Sequence, residues 1–462
     1  MKLDYKGAVI SVIALAVIIR LTLLFIAPIS MFADPVIRYL PNAEKILHWN
    51  FNFYDFPLLI ILEAFWMLFL KGNLLWIAWK STSLIFFIAI LFLLPATFRR
   101  FKLNKKEQII ALSLFLFSTW TLLLSVTIMQ EMIIAFFVLA LFLSLEEYIE
   151  KPKGKWIFAL ISLTCLMILA KQTGYILTMG FGLYILGKKA EWKIKIKSLL
   201  FIATGALLTL FWPIKNYLTT GRAFIGVTLN PASLHSLKEY FASFILAYHY
   251  FWEIPLQTKV SFSGSLAFIY SIYYLGALIL TAGLSLMIIL ALFKYSRKYK
   301  EHILLMLPLL AFTFIYWTFL LLLSGDAGRY TFPLWIFLFI FTAKFIESIK
   351  SIRARQICYG VVILFCAVST ISAFGIAGHM HQIDSQILDV NAVLKQQNAT
   401  GTFITNDEFT SSALAYYLGQ PVIFNLKRNV LDTNIQCQGE SIFESENFRV
   451  FYEEGDYKIC RS

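Results

Sequence analysis

Charge is scarce in this chain: acidic and basic residues occupy only 15% of its 462 positions, against roughly 25% in a soluble globular domain. That shortage excludes an ordinary soluble protein. Cysteine is scarcer, with five copies. Cys165, Cys358 and Cys366 lie in apolar runs and only Cys437 and Cys460 in polar sequence, so no metal or multi-disulfide spacing is present. One bridge, Cys437 to Cys460, remains open to the chain. No A-x-A site follows the first apolar block, which therefore reads as a retained helix and not as a cleaved signal peptide. There is no internal repeat and no low-complexity tract.

What the chain has in abundance is apolar sequence, at 59% of all residues. It comes in nearly uncharged blocks long enough to cross a hydrocarbon core of about 30 Å at 1.5 Å per helical residue. Eleven spans are expected, near residues 8–29, 74–97, 108–124, 131–148, 156–171, 174–187, 198–214, 263–293, 303–323, 331–348 and 357–377. The fold class is an all-α polytopic membrane protein. In a soluble chain the net charge of +13 would suggest nucleic acid, but here it encodes topology. Basic clusters follow alternate spans, from Lys2 and Lys6, through Arg99–Lys106, Lys151–Lys155, Lys188–Lys197 and Lys294–Lys300, to Lys344–Arg355. They hold 23 of the 40 basic residues, which puts these loops and the amino terminus in the cytoplasm of a plasma-membrane protein. No nucleic-acid partner is indicated.

The division expected is a membrane module over 1–377, with outer loops 30–73 and 215–262, and an extracytoplasmic tail over 378–462. Segment 57–71 is short and interrupted by Glu63, so it reads as an amphipathic helix lying in the outer interface. The tail alternates strand-like runs (GTFIT, QPVIFNL, FRVFY) with a helical EFTSSALAYYLG, which suggests a small α/β appendage.

Chemistry is sought on the outer side. Asp34 and Arg38, followed by Tyr39, open the first outer loop, where a partly desolvated carboxylate can act as a base. Asp34 before Pro35 also reads as a helix cap. Glu131 begins a span at the same level, as a functional acid or as a favourable charge at a helix amino terminus. Lys171 stands between two spans, either snorkelling or binding phosphate. Lys215 with Asn216, and Arg329 with Tyr330, end two further outer turns; Arg329 can grip a phosphate bidentately. Each signal alone is weak, and their convergence at one depth carries the reading. A cationic outer site in an apolar wall suits a phosphate attached to a lipid, since nucleotide donors are cytoplasmic.

These residues resemble the GT-C glycosyltransferases of the protein O-mannosyltransferase and aminoarabinose transferase type, which use polyprenyl-phosphate sugars. The resemblance runs in order through Asp34, Arg38 and Tyr39; Tyr54-Asp55-Phe56-Pro57-Leu58; Ser125 and Glu131; Lys171-Gln172-Thr173-Gly174; Pro213 to Gly221; Arg329-Tyr330; and Ala413 to Leu418. It implies that Asp34 deprotonates the acceptor hydroxyl for inverting displacement and that Arg38, Lys171 and Arg329 stabilise the phosphate leaving group. Glu131 would orient the acceptor or a cation. The chain departs from the family pattern in having Pro35 and one extra residue before Arg38, Glu in place of Asp at 131, and Lys215-Asn216 in place of Arg-Asn. Asp55-Phe56-Pro57-Leu58 replaces Lys-Pro-Pro-Leu, which argues against aminoarabinose as substrate.

The function expected is transfer of a sugar from a polyprenyl-phosphate donor to a glycan, lipid or protein acceptor outside the cytoplasm. Membrane lipids surround the site, and no metal is indicated, although a divalent ion is compatible. A flippase would instead require broken or polar mid-membrane segments and inverted repeats. A polymerase or ligase would place its chemistry in one late outer loop, where His249 stands.

Overall fold

The computed structural model describes residues 5–28, 34–51, 53, 55–221, 223, 265–319 and 327–396, and the strand residues 402–405, 422–424, 441–444, 448–453 and 456–461. His249, the sequon Asn398-Ala399-Thr400, Cys437 and the tail segment 408–419 lie outside them. The apolar runs are helical because hydrocarbon offers no outside partner, so each backbone amide must be satisfied within its own segment.

In chain order the helices are α1 (Tyr5–Ile26), α2 (Leu40–Leu47), α3 (Pro57–Phe69), α4 (Gly72–Arg100), α5 (Lys105–Phe117), α6 (Thr119–Leu124), α7 (Gln130–Glu150), α8 (Gly154–Ala170), α9 (Gly174–Gly187), α10 (Trp192–Leu208), α11 (Phe211–Thr220), α12 (Ser265–Tyr295), α13 (Lys300–Phe319), the short α14 (Ala327–Thr331), α15 (Trp335–Glu347) and α16 (Ile352–Gln396). The described residues of the eleven segments expected to span are mostly helical, although 108–124, 198–214 and 331–348 are each divided between successive helices. Among the described residues six stretches are long and apolar enough to cross a membrane: Tyr5–Ile26, Gly72–Arg100, Gln130–Glu150, Trp192–Thr219, Arg329–Glu347 and Ile352–Gln396. Gly154–Ala170 and Gly174–Gly187 are shorter apolar helices. The body of the chain is thus an all-α integral membrane bundle.

Contacts at the helix ends bring the basic clusters to one end of that bundle. Arg100 pairs with Glu147 and Glu150, Lys188 with Glu146 at 2.7 Å, Lys344 with Glu107 at 3.9 Å, and Tyr5 with Gln108.

Four sequence expectations are corrected. The run 108–124 is not one helix: Ser118 is extended and separates α5 from α6. The carbonyl that this break leaves unpaired, Leu116 O, accepts from Arg20 Nη2 at 2.7 Å. The apolar blocks, read as nearly uncharged, also carry buried cations. Arg20 of α1 is fully buried over the Phe87 ring. Lys80 of α4 is buried too and donates to Leu24 O and to Ala27 O, the latter at 2.9 Å. Both cations satisfy carbonyls at helix carboxyl ends, where the backbone runs out of amide donors.

Segment 57–71 is helical, but its polarity runs opposite to the expectation. Glu63 is fully buried, while Ile61, Phe65, Leu68 and Phe69 are exposed. That orientation suits surroundings of lipid, where apolar side chains face out and a carboxyl faces protein. Finally, the last apolar helix does not end at 377. α16 runs unbroken for 45 residues to Gln396, about 68 Å, so the boundary placed at 378 falls within a helix.

Beyond it the strands β1 (Thr402–Thr405), β2 (Val422–Phe424), β3 (Ser441–Glu444), β4 (Phe448–Glu453) and β5 (Asp456–Arg461) form one sheet in the order β2-β1-β5-β4-β3. β1 runs parallel to both β2 and β5, and β4 antiparallel to β3 and β5.

Candidate active site

The site is assembled from four short connections at the end of the bundle opposite the basic clusters. The first follows α1. Residues Pro35–Tyr39 form a single π-helical turn closed by Leu40 N–H to Pro35 O. Its cause is local: Pro41 has no N–H to offer Ile37 O, and its ring crowds that carbonyl, so the turn widens. A turn closed over five residues also absorbs the one additional residue that precedes Arg38-Tyr39. Asp34 sits at its start but makes no side-chain cap hydrogen bond, so the capping reading of this residue is set aside.

The second connection is the tight turn before α7. Ser125 and Thr127 hydroxyls bond back to Leu122 O and Leu123 O at 2.9 Å each, and Ser83 of α4 donates to Thr127 O at 2.6 Å. These bonds fix Gln130 and Glu131 in the first turn of α7. The third is Lys171-Gln172-Thr173-Gly174 between α8 and α9. A Cβ on Gly174 would lie 2.6 Å from Ile168 Cα, so only glycine permits so sharp a reversal. The fourth is α14, which carries Arg329 and Tyr330.

From these connections the side chains interlock. Arg329 Nη2 donates to Asp34 Oδ2 at 2.8 Å and its Nε to Glu131 Oε1 at 3.0 Å. Lys171 Nζ reaches the same Glu131 oxygen at 2.8 Å and lies 4.5 Å from the Tyr330 ring centroid. Arg38 Nη1 donates to Asp34 Oδ1 at 3.0 Å, and its Nη2 to Asp55 Oδ1. Asn42 Nδ2 holds the other Asp55 oxygen at 3.1 Å. The result is an alternating chain, Asp55–Arg38–Asp34–Arg329–Glu131–Lys171, of three carboxylates and three cations. The Glu131 side chain is 1% exposed, Asp55 5% and Asp34 23%, so Asp34 is the acid that faces outward. Glu131 Oε2 is buried with no hydrogen-bond partner among the described residues.

The electrostatics follow from this geometry. Burial raises the Asp34 carboxyl, but Arg329 and Arg38 outweigh it and hold the group at about 2, below its ordinary 3.8. Burial works against the Arg38 charge, whereas Tyr39, Asp55 and Asp34 raise its pKa overall. The Tyr39 phenol is pushed well up by burial and then by Asp34, so it remains a neutral donor. A small cavity of about 60 Å³ opens over the group, lined by Asp34, Arg38, Tyr39, Asp55, Phe56, Gln130, Lys171, Gln172, Arg329 and Tyr330.

Most residues singled out in the sequence therefore meet: Asp34, Arg38, Tyr39, Asp55, Glu131, Lys171, Arg329 and Tyr330. Lys215 is engaged elsewhere, with the fully buried Asn216 beside it. Lys215 Nζ donates to Phe53 O at 2.8 Å and to Asn216 Oδ1 at 3.2 Å, and lies 4.3 Å from the Trp212 ring centroid. Trp212 Nε1 in turn donates to Asp55 O at 2.9 Å. This pair braces the 53–55 loop from behind. His249 lies outside the described residues. Two polar residues here, Gln130 and Asn42, were not singled out in the sequence, and Gln172 was quoted only as part of Lys171-Gln172-Thr173-Gly174 with no role of its own. Asn42 had a signal, since Asp34, Arg38, Asn42 and Lys45 recur every three or four positions along one helical face. Among the described residues no three His, Cys, Asp or Glu side chains gather to hold a metal ion.

No protein-family model and no curated protein sequence matches the chain. Solved structures do. ArnT from Cupriavidus metallidurans bound to undecaprenyl phosphate superposes with a TM-score of 0.56 at 13% identity, over 91% of this chain and 86% of that one. The apo state of the same protein gives 0.53 at 13% identity over the same shares. At that identity the likeness is one of architecture, and nearly the whole chain shares the fold of ArnT.

Proposed function

We propose that this protein is an integral-membrane glycosyltransferase that moves a sugar from a polyprenyl-phosphate carrier to an acceptor hydroxyl on the extracytoplasmic side. The observation that carries the reading is the alternating cluster of Asp34, Arg38, Glu131, Lys171 and Arg329 under a cavity at the bundle end opposite the basic clusters. The fold supports it, because a protein of this architecture binds undecaprenyl phosphate.

The cluster is electrically balanced before substrate arrives, with three acids against three cations. A phosphodiester donor brings one negative charge and must compete for the arginines. Asp34, the most exposed of the three acids, is the carboxylate to be displaced, while Glu131 and Asp55 stay buried and keep Lys171, Arg329 and Arg38 aimed. Released from its arginines, Asp34 becomes a stronger base. It then takes the acceptor proton as the acceptor oxygen attacks the anomeric carbon. The bond from that carbon to the phosphate oxygen breaks, its electron pair leaves with the phosphate, and configuration inverts. Charge on the phosphate grows in this step, so cations fixed around it bind the transition state more tightly than the ground state. We read the chain as crossing the membrane eleven times with this site outside, so that a lipid phosphate reaches it laterally between helices.

The test is incubation of the purified protein with an undecaprenyl-phosphate sugar and an envelope glycan acceptor. Release of undecaprenyl phosphate coupled to acceptor glycosylation is the expected result. Translocation of intact lipid-linked glycan across liposomes with no bond cleavage would overturn the reading.

A further inference from the structure

A second cavity, about 470 Å³ and open to one side, lies between α4 and α7. It belongs to the opposite end of the bundle: Ser144 on its wall is 13 residues beyond Glu131 on α7, about 20 Å along the axis. Its walls are of two kinds. Leu93 and Ala96 of α4 and Ala140 and Leu143 of α7 form its apolar wall, in which the two alanines are the smallest side chains. At the polar end stand Arg99, Ser144 and Trp156.

None of these three makes a side-chain hydrogen bond among the described residues. For Ser144 this is informative, because it is 8% exposed and lies within a helix. A helical hydroxyl ordinarily donates to the carbonyl four residues back, as Ser198, Thr204 and Thr342 do here. Ser144 instead lines the groove. Arg99 contrasts with its neighbour Arg100, which is taken by Glu147 and Glu150. Glu147 lines the groove as well, so its charged lining of Arg99, Arg100 and Glu147 is net positive by one, and Lys151, Lys153 and Lys155 follow at the junction of α7 and α8. Trp156 occupies the position that indoles favour at a membrane boundary.

We propose that this groove is a binding site for an anionic phospholipid of the surrounding bilayer. Its phosphate oxygens meet the Arg99 guanidinium, the Ser144 hydroxyl and the Trp156 indole N–H, and one acyl chain lies along the apolar wall. Unpartnered donors at the head and an apolar trough below match the two halves of a lipid, and a basic pocket between spanning helices is a recognised lipid headgroup site. This site is separate from the proposed donor site and does not depend on its assignment.

The experiment is native mass spectrometry of the full chain in nonionic detergent, titrated with phosphatidylglycerol or with phosphatidylcholine of the same acyl composition. Phosphatidylglycerol should bind at least about tenfold more tightly, and Arg99→Ala with Ser144→Ala should remove about that factor, the loss of one or two charge-assisted hydrogen bonds. Melting of these variants without lipid should match the parent. Ala140→Trp, which crowds the apolar wall without touching the headgroup donors, should weaken binding of both lipids. Equal binding of the two lipids, or wild-type binding of phosphatidylglycerol by the double variant, would overturn the proposal. So would inorganic phosphate displacing the lipid at millimolar concentration, since the site would then recognise the anion alone.

Discussion

Arg329 and Glu131, 198 positions apart in the chain, are joined by a hydrogen bond of 3.0 Å between Nε and Oε1, and Arg329 spends a second nitrogen on Asp34 at 2.8 Å. One planar group thus ties α14 to both the α7 turn and the turn after α1. Lysine offers a single nitrogen and cannot span two carboxylates in this way. Arg329→Lys keeps the charge and loses the geometry. Sugar transfer should fall about 100-fold in kcat, and methylguanidine added in trans to Arg329→Ala should restore part of it. An Arg329→Lys enzyme with parental kcat would show that the fork is unnecessary.

Asp34 carries the proposed base role, so Asp34→Asn should lower kcat by at least about 10²-fold, the lower bound usual for losing a general base. The fold should survive, because the amide fits the same space. Measurement is release of radiolabelled sugar from the polyprenyl-phosphate donor, alongside melting in detergent. Full activity in this variant would remove Asp34 from the chemistry.

A pH dependence with a definite sign follows from the same residue. The folded carboxyl, held at about 2 by its arginines, lies below its ordinary 3.8. Its contribution to stability is therefore complete above pH ~4 and is lost as pH falls through about 2, worth roughly 2 kcal/mol at most. The difference in melting temperature between parent and Asp34→Asn should be constant from pH 5 to 8 and shrink only below about pH 4. For activity, kcat/KM reports the free enzyme, so it should show no acid limb from Asp34 above about pH 4. The kcat profile, which reports the donor complex, should show one at higher pH once the phosphate has taken the arginines. Coincident acid limbs in the two profiles would contradict the exchange.

Much of this arrangement was legible in the chain. The alternation of basic clusters fixed which turns share an end, and that parity is enough to bring Asp34, Glu131, Lys171 and Arg329 to one depth. Less accessible were features set by partners distant in sequence. Arg20 and Lys80 look like errors in apolar helices until Leu116 O and Ala27 O are seen beside them, because a helix end exposes carbonyls that no periodicity reveals. Glu63 misled for a related reason: amphipathicity was assigned against water, whereas lipid inverts which face should be apolar. Lys215 shared the depth and charge of the phosphate candidates, and only its contact with Phe53 O distinguishes a brace from a ligand.

That distinction can be measured. Lys215→Met should keep most of the packing over Trp212 and lose the bond to Phe53 O, a cost of about 1 kcal/mol. Since Phe53 leads into Asp55, and Asp55 aims Arg38, the effect on transfer should be indirect and below about tenfold, within what a positional shift produces. A loss matching that of Arg329→Lys would instead place Lys215 among the groups that contact the phosphate.

Helix packing supplies the last prediction, and its sign differs between glycines two residues apart. A Cβ at Gly180 of α9 would lie 2.2 Å from Leu305 O and 3.2 Å from its carbonyl carbon, so α13 rests directly on the α9 backbone. Small residues permit such approach between membrane helices, where packing and not hydrophobic exclusion drives association. Gly180→Ala must push two backbones apart and should destabilise by about 1–3 kcal/mol, as overpacking does. Gly182 faces elsewhere: its added Cβ would meet Leu199 Cδ2 at 3.8 Å, an ordinary contact, while alanine removes the conformational cost that glycine carries within a helix, about 0.5–1 kcal/mol. Gly182→Ala should therefore melt at or slightly above the parent temperature and Gly180→Ala clearly below it, followed by fluorescence-detected melting of the full chain in detergent. If both variants melted together, the close approach of α9 and α13 at Leu305 would not be what holds this side of the bundle.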